Sequence, residues 1–380
     1  MKNYRIIIPK DLRIRIQDLD QDIAPFVVSL NPEYKPECCL PTEDLTSNFS
    51  IIRKLMAPDI SLRSLKKLKT EELIDIHENM KDVGTFVPTM ENAASILDLK
   101  IELCERFYRH CELCARKCGV NRYKEKGICA LGEEAYFIET YNNLAEEAPI
   151  NPSLTNVLFG CGLRCVACQN RHLVYGFAQD MLDAGKARIL DSSIWGDEII
   201  GQSTNTIQFT GGNPWENTLG ILKFMREAPE KLNKPIGLNA NAMATEYSAI
   251  LYDGVIDFIL LDVKCGNNKC SERITGFSEY VEAAINSLTL FSTQNVKIIV
   301  RILIYPEHFV CCVEPILKEI LAPFRDRIWI SVLDQYTPLF NATDEFMKRP
   351  SKKEIAGTKE LVRKLDYRDI KKNPEKFWSV

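Results

Sequence analysis

No apolar run in this 380-residue chain reaches the ~20 residues that a membrane-spanning helix needs. The opening MKNYRIIIPKDLRIR likewise lacks the apolar core of a signal peptide. Neither sign of charge dominates. Lys and Arg total 48 against 52 Asp and Glu, a formal net charge of −4, which removes the electrostatic footprint of a nucleic-acid binder. The basic clusters Arg63–Lys69 and Lys348–Lys353 read as solvated helix faces. These absences lead to the expectation of a cytoplasmic protein with neither a membrane nor a nucleic acid as partner. A chain this long, with 46% apolar and 26% charged residues, can bury one large domain and a smaller one.

Cysteine, by contrast, is plentiful: 14 residues, seven of them in two tight groups. In a reducing compartment, clustered cysteines read as metal ligands before they read as disulfides. Cys161, Cys165 and Cys168 form C-x3-C-x2-C directly after a β-branched run. Three thiolates are one short of a closed tetrahedral site, so they leave a coordination position open. Cys111, Cys114, Cys118 and Cys129 supply four soft ligands, with Gly119, Asn121 and Gly127 suited to tight turns. Zinc, a mononuclear iron and an iron–sulfur cluster all meet that set. Cys38, Cys39, Cys104, Cys265, Cys270, Cys311 and Cys312 show no such spacing and read as packing residues.

Along the chain, Pro32, Pro36 and Pro41 punctuate an irregular opening, and Ser61 to Met80 carries helical periodicity. From residue 155 short β-rich runs alternate with helical stretches. The runs are Thr155–Phe159, Thr206–Thr210, Pro235–Asn239, Asp257–Val263, Val296–Ile304 and Ile328–Leu333. Helices are expected over Thr218–Glu227, Tyr280–Phe291 and Cys312–Leu321. Apolar strands alternating with helices imply a buried parallel sheet. Six units are too few for an eight-stranded barrel, so the expected fold is α/β, a partial (β/α)6 barrel. The expected division is a mostly helical accessory region at 1–100, a cysteine-rich segment at 101–150, the barrel at 151–338 and an extension at 339–380. In such sheets function gathers at the carboxyl ends of the strands. Here those ends carry the Cys161–Cys168 loop, Gly211 to Pro214, Asn239 with Asn241, Asp262 with Lys264, Arg301 with His308, and Asp334 to Tyr336.

Taken together, these motifs resemble the radical S-adenosylmethionine superfamily, in the branch related to pyruvate formate-lyase activating enzyme. The resemblance runs over residues 104 to 338. It rests on CELCARKCGVNR, EEAPI, the three-cysteine motif with CVACQN, TGGNP, FILLDVK, RILIYPEHFVCC and LDQYTP. It implies a [4Fe–4S] cluster on Cys161, Cys165 and Cys168, with the open iron held for S-adenosylmethionine. Reductive cleavage would then give a 5′-deoxyadenosyl radical that abstracts hydrogen from a protein or peptide substrate. A low-potential donor of flavodoxin or ferredoxin type and an anaerobic setting are implied with it. Further implied are Gly211 and Gly212 at the methionine moiety and Asn213 at the ammonium, where the family usually has Glu. Lys264 with Asp262 is implied near the carboxylate, Asn239 stands where the activating enzymes are acidic, and His308 is implied close to cofactor or substrate.

Two other functions remain to be weighed. A cobalamin-dependent methyltransferase of the same superfamily would want a corrinoid domain, and no D-x-H-x-x-G stretch is present. A non-catalytic electron-transfer protein would close the triad with a fourth ligand such as Cys265 or Cys311, and it would leave Gly211-Gly212 and Lys264 unexplained.

Overall fold

In the computed structural model, residues 15–16, 56–80, 93–175, 178–194, 204–229, 232–339 and 342–379 are described. The proline-punctuated opening around Cys38 and Cys39 lies outside them. Short strands β1 (Arg15–Ile16), β2 (Met56–Ser61) and β3 (Ala93–Ser95) join helices α1 (Leu62–Leu65), α2 (Thr70–Met80) and α3 (Ile96–Phe107). The periodic stretch from Ser61 is therefore two helices. The described part of the region also holds a two-stranded antiparallel sheet, β2 with β3, beyond the helices expected of it. A capping box starts α3: Ser95 Oγ accepts from the Asp98 amide at 3.1 Å, and Asp98 returns the bond at 2.8 Å. Behind that cap, Leu97, Leu99, Leu103 and Phe107 are buried.

The main sheet has nine strands. On one side stand β1, β4 (Tyr136–Asn143) and, paired to β4, β6 (Arg188–Ile189), all antiparallel to their neighbours. Beyond β4 the order is β5 (Ser153–Leu158), β7 (Thr206–Gly211), β8 (Ile236–Asn241), β9 (Phe258–Asp262), β10 (Lys297–Leu303) and β11 (Ile328–Leu333). These six pair in parallel and in sequence order. They match the six apolar runs, no end differing by more than two residues, and β11 matches at both ends. Every residue of β5 is buried, as covering both faces of a parallel sheet demands.

The crossovers carry α4 (Arg171–Tyr175) and α5 (Ala178–Asp183), α6 (Thr218–Arg226), α7 (Glu246–Tyr252), then α8 (Asn268–Thr275) and α9 (Tyr280–Ser292). Between β10 and β11 the expected helix is instead two π-helical turns, Phe309–Val313 and Ile316–Ile320. Helix α10 (Lys352–Lys364) follows the sheet. No helix among the described residues is long and apolar enough to cross a membrane.

A buried cluster of charge ties the sheet together. Arg301 of β10 donates through Nε to Glu147 at 2.8 Å and through Nη2 to both Glu146 and Glu147. Glu146 also accepts from Gln208 of β7 at 3.3 Å and from Asn143 at 2.8 Å. Burial alone would raise the Glu147 pKa; the Arg301 guanidinium outweighs it and holds the carboxyl below its ordinary value.

Candidate active site

The three-cysteine loop leaves the end of β5 and is fixed from three sides. The Gly162 amide donates to Glu216 at 2.8 Å, Arg116 donates to the Gly162 carbonyl at 2.9 Å, and the Arg164 and Val166 amides donate to Thr275 and Ile274 at the end of α8. Gly211 and Gly212 let β7 end against this loop. Gly211 has φ +107°, and a Cβ there would lie 2.5 Å from the Leu158 carbonyl oxygen. A Cβ on Gly212 would fall on the Gly160 backbone. The close neighbour that requires this glycine pair is thus the backbone leading into the cysteine loop.

A cavity of about 180 Å³ opens at the carboxyl edge of the sheet. Cys161, Cys165 and Cys168 line it together with Gly211, Gly212, Asn213, Asn239, Asp262 and Lys264. Arg301, Leu303 and Tyr305 line it from β10 and the turn after it, and Leu333 and Gln335 from β11 and beyond. His308 is not among the lining residues: its Nε2 meets Glu345 at 3.2 Å and its Nδ1 meets Cys312 at 3.4 Å. Asp334 also turns aside, to an ion pair with Lys359 at 2.7 Å.

The electrostatics of the cavity follow from burial. Desolvation pushes the Cys165 thiol up to about 11, and raises Cys161 and Cys168 as well. Burial thus disfavours the free thiolates, and binding a metal centre would release their protons. Burial works against the Lys264 charge, but Asp262 at 2.7 Å outweighs it, and the ammonium's pKa lies well above its usual value. Asn213 is fully engaged: its Oδ1 accepts from the Asn241 amide at 3.0 Å and its Nδ2 donates to Glu216.

The donor set fits an iron–sulfur centre with a polar ligand beside it. Cys161 Sγ receives the Leu163 amide at 3.4 Å and Asn241 Nδ2 at 3.6 Å, contacts that stabilise a charged sulfur. Two buried atoms on cavity-lining residues lack a hydrogen-bond partner, Arg301 Nη1 and Asn241 Oδ1. One group of three or more ligand atoms among the described residues closes to within 4.8 Å, and it is not this triad. The triad is thus wider than a single tetrahedral ion requires, since sulfurs around one zinc lie ~3.8 Å apart.

Cys111, Cys114, Cys118 and Cys129 surround a separate small void, also lined by Gly162 and Glu216. Arg122 lines it too and is buried, with its Nε and Nη1 donating to the Gly132 and Glu216 carbonyls at 2.9 and 2.7 Å. A buried cation beside four thiols suits a set that becomes anionic on metal binding. Glu216 separates the two cysteine groups and, with Arg122, was not singled out from sequence, whereas Asn241 was one of the strand-end residues named there. An isolated acid inside a helical stretch carries no signal until its burial is known.

No protein-family model matches the chain. A curated relative, an uncharacterized protein of Methanocaldococcus jannaschii, is 28% identical over 322 residues, which is 82% of this chain and 93% of that protein. Among solved structures, Streptococcus suis SuiB bound to precursor peptide SuiA is similar with a TM-score of 0.38 and 12% identity. The match covers 55% of this chain and 45% of SuiB, so the chain spans under half the length of that protein. A likeness that loose carries no argument about function.

Proposed function

We propose that the chain is a radical S-adenosylmethionine enzyme built as a partial (β/α)6 barrel. In this reading Cys161, Cys165 and Cys168 hold a [4Fe–4S] cluster and S-adenosylmethionine lies along the cavity. One observation carries it: the triad and residues from the carboxyl ends of all six parallel strands line a single cavity.

Cluster and cofactor, when bound, supply reductive cleavage of the sulfonium bond and with it a 5′-deoxyadenosyl radical for hydrogen abstraction. The chain's own residues bind, orient and exclude water. The Leu163 and Asn241 donors steady the Cys161 sulfur. Arg301 Nη1 and Asn241 Oδ1 offer a donor and an acceptor to polar groups of the cofactor. Lys264 stays charged to meet its carboxylate, and Asn213 acts by positioning Asn241. The lining is mostly polar, with Leu163, Val174, Leu303 and Leu333 between the polar groups, and seating the cofactor in it would limit side reactions of the radical. Cys111, Cys114, Cys118 and Cys129 hold a second metal centre in the segment 101–150. A protein or peptide substrate, an activating-enzyme-like reaction and a flavodoxin- or ferredoxin-type donor rest on the sequence resemblance.

The test is anaerobic incubation of reconstituted, reduced protein with S-adenosylmethionine. Formation of 5′-deoxyadenosine and methionine is expected. No cleavage by protein with an intact cluster would overturn the reading.

A further inference from the structure

A third set of soft ligands lies outside the cavity, and nothing in the reading above uses it. Cys270 stands on α8; His308, Cys311 and Cys312 stand at the first π-helical turn after β10. Their three sulfurs and one ring nitrogen all lie within 4.8 Å of one another. Cys270 Sγ is 3.9 Å from Cys311 Sγ, and His308 Nδ1 is 3.4 Å from Cys312 Sγ and 3.5 Å from Cys311 Sγ. A tetrahedral ion with bonds of ~2.3 Å to sulfur and ~2.05 Å to nitrogen has edges of about 3.8 Å between sulfurs and about 3.5 Å between sulfur and nitrogen. The three separations are those of a site already folded to this size.

We propose that Cys270, His308, Cys311 and Cys312 form a closed Cys3His site for one zinc-class divalent ion. The surroundings are those of a metal site. His308 presents Nδ1 to the sulfurs because its Nε2 faces Glu345 at 3.2 Å, and Glu345 is itself held by Arg273 at 2.5 Å. A carboxylate on the far nitrogen fixes the tautomer that leaves Nδ1 free to ligate. Asn267 Nδ2 donates to Cys270 Sγ at 3.3 Å. Phe346 stacks on the imidazole with ring centroids 5.3 Å apart, and Cys270, His308 and Cys312 are all buried.

The backbone is shaped to allow it. The wide π turn brings the consecutive residues Cys311 and Cys312 to the same nitrogen, a geometry that such turns supply at functional sites. Gly266 lets the loop after β9 come against this turn, since a Cβ there would lie 2.6 Å from the Cys312 carbonyl oxygen. Simple core packing of thiols would not require a histidine oriented by an ion pair. With all four positions filled by protein, the ion is structural. It fastens the loop that carries Lys264 to the turn that follows Tyr305, two residues of the cavity wall. The site stands whether or not the cavity binds S-adenosylmethionine.

Metal, iron and sulfide contents of the anaerobically purified full chain test it. Cys270→Ser and Cys312→Ser should each lose one equivalent of zinc per chain with iron and sulfide unchanged, and Cys312→His should retain it. Unchanged zinc in both serine variants would overturn the proposal. Should those variants not fold, peptide-level iodoacetamide labelling of the native chain decides. Half-exposed Cys311 should label only after a zinc chelator is added. Equal labelling with and without chelator, or a Cys270–Cys311 disulfide in that protein, would overturn the site.

Discussion

Two sets of soft ligands stand at the same carboxyl edge of the sheet, and they differ in spacing. The Cys161 triad is wide, faces a cavity and lies among polar groups that lack partners. The Cys270 set is tight, supplies four ligands and is closed by Glu345 and Phe346. Ligand chemistry is nearly the same in both. What separates a centre able to accept a substrate-like molecule from one that only fastens loops is the number of protein ligands and the space left beside them.

The comparison breaks most visibly on Cys165→Ala. Cleavage of S-adenosylmethionine should fall to background and four irons should be lost, while the zinc held by the Cys270 set remains; deoxyadenosine chromatography and metal analysis read both. Next in size is Arg301→Leu, which strands two buried carboxylates and should cost about 3–5 kcal/mol in denaturant titration. The sign with pH follows from Glu147, whose pKa is depressed in the folded state. Its contribution is present above its ordinary value of 4.5 and is lost as pH falls through the folded value. The gap between wild type and Arg301→Leu should therefore shrink in acid, and a gap independent of pH would deny the ion pair its role. Gly212→Ala should cost about 3 kcal/mol, the upper end of overpacking, because its Cβ meets backbone that cannot turn away. It should also cut cleavage by displacing the cysteine loop.

These positions show why some of the molecule was legible and some was not. The six strands were readable because fully buried parallel strands write continuous apolar runs. The triad was readable because its ligands fall within eight positions of one another. The Cys270 set was not, since residues 270, 308, 311 and 312 meet only after α8 and the turn beyond β10 pack together. Cys270, Cys311 and Cys312 therefore passed for packing residues, and His308 for a cavity residue. The helix expected over 312–321 became π turns because local apolar periodicity does not report how wide a turn tertiary packing selects. Glu216 and Arg122 were missed for the same cause: burial is what makes a charge informative.

The smallest expected effect bears on Asn213, where resemblance and geometry point to different jobs. Resemblance puts this side chain on the cofactor's ammonium. The structure spends its oxygen on the Asn241 amide and its nitrogen on Glu216. Burial raises the Glu216 pKa, and the Asn213 donor is the first of the contacts that oppose the rise. Asn213→Asp keeps the acceptor, removes the donor and sets a second carboxylate beside Glu216. A positioning role predicts a loss of about 1–3 kcal/mol, the cost of an unmet buried partner. That loss should grow as pH rises and both acids ionise, with little change in the KM for S-adenosylmethionine. A direct contact with the ammonium predicts the reverse: a lower KM from the added charge and a loss that does not track pH. Denaturation midpoints across pH, measured beside KM on the same protein, separate the two.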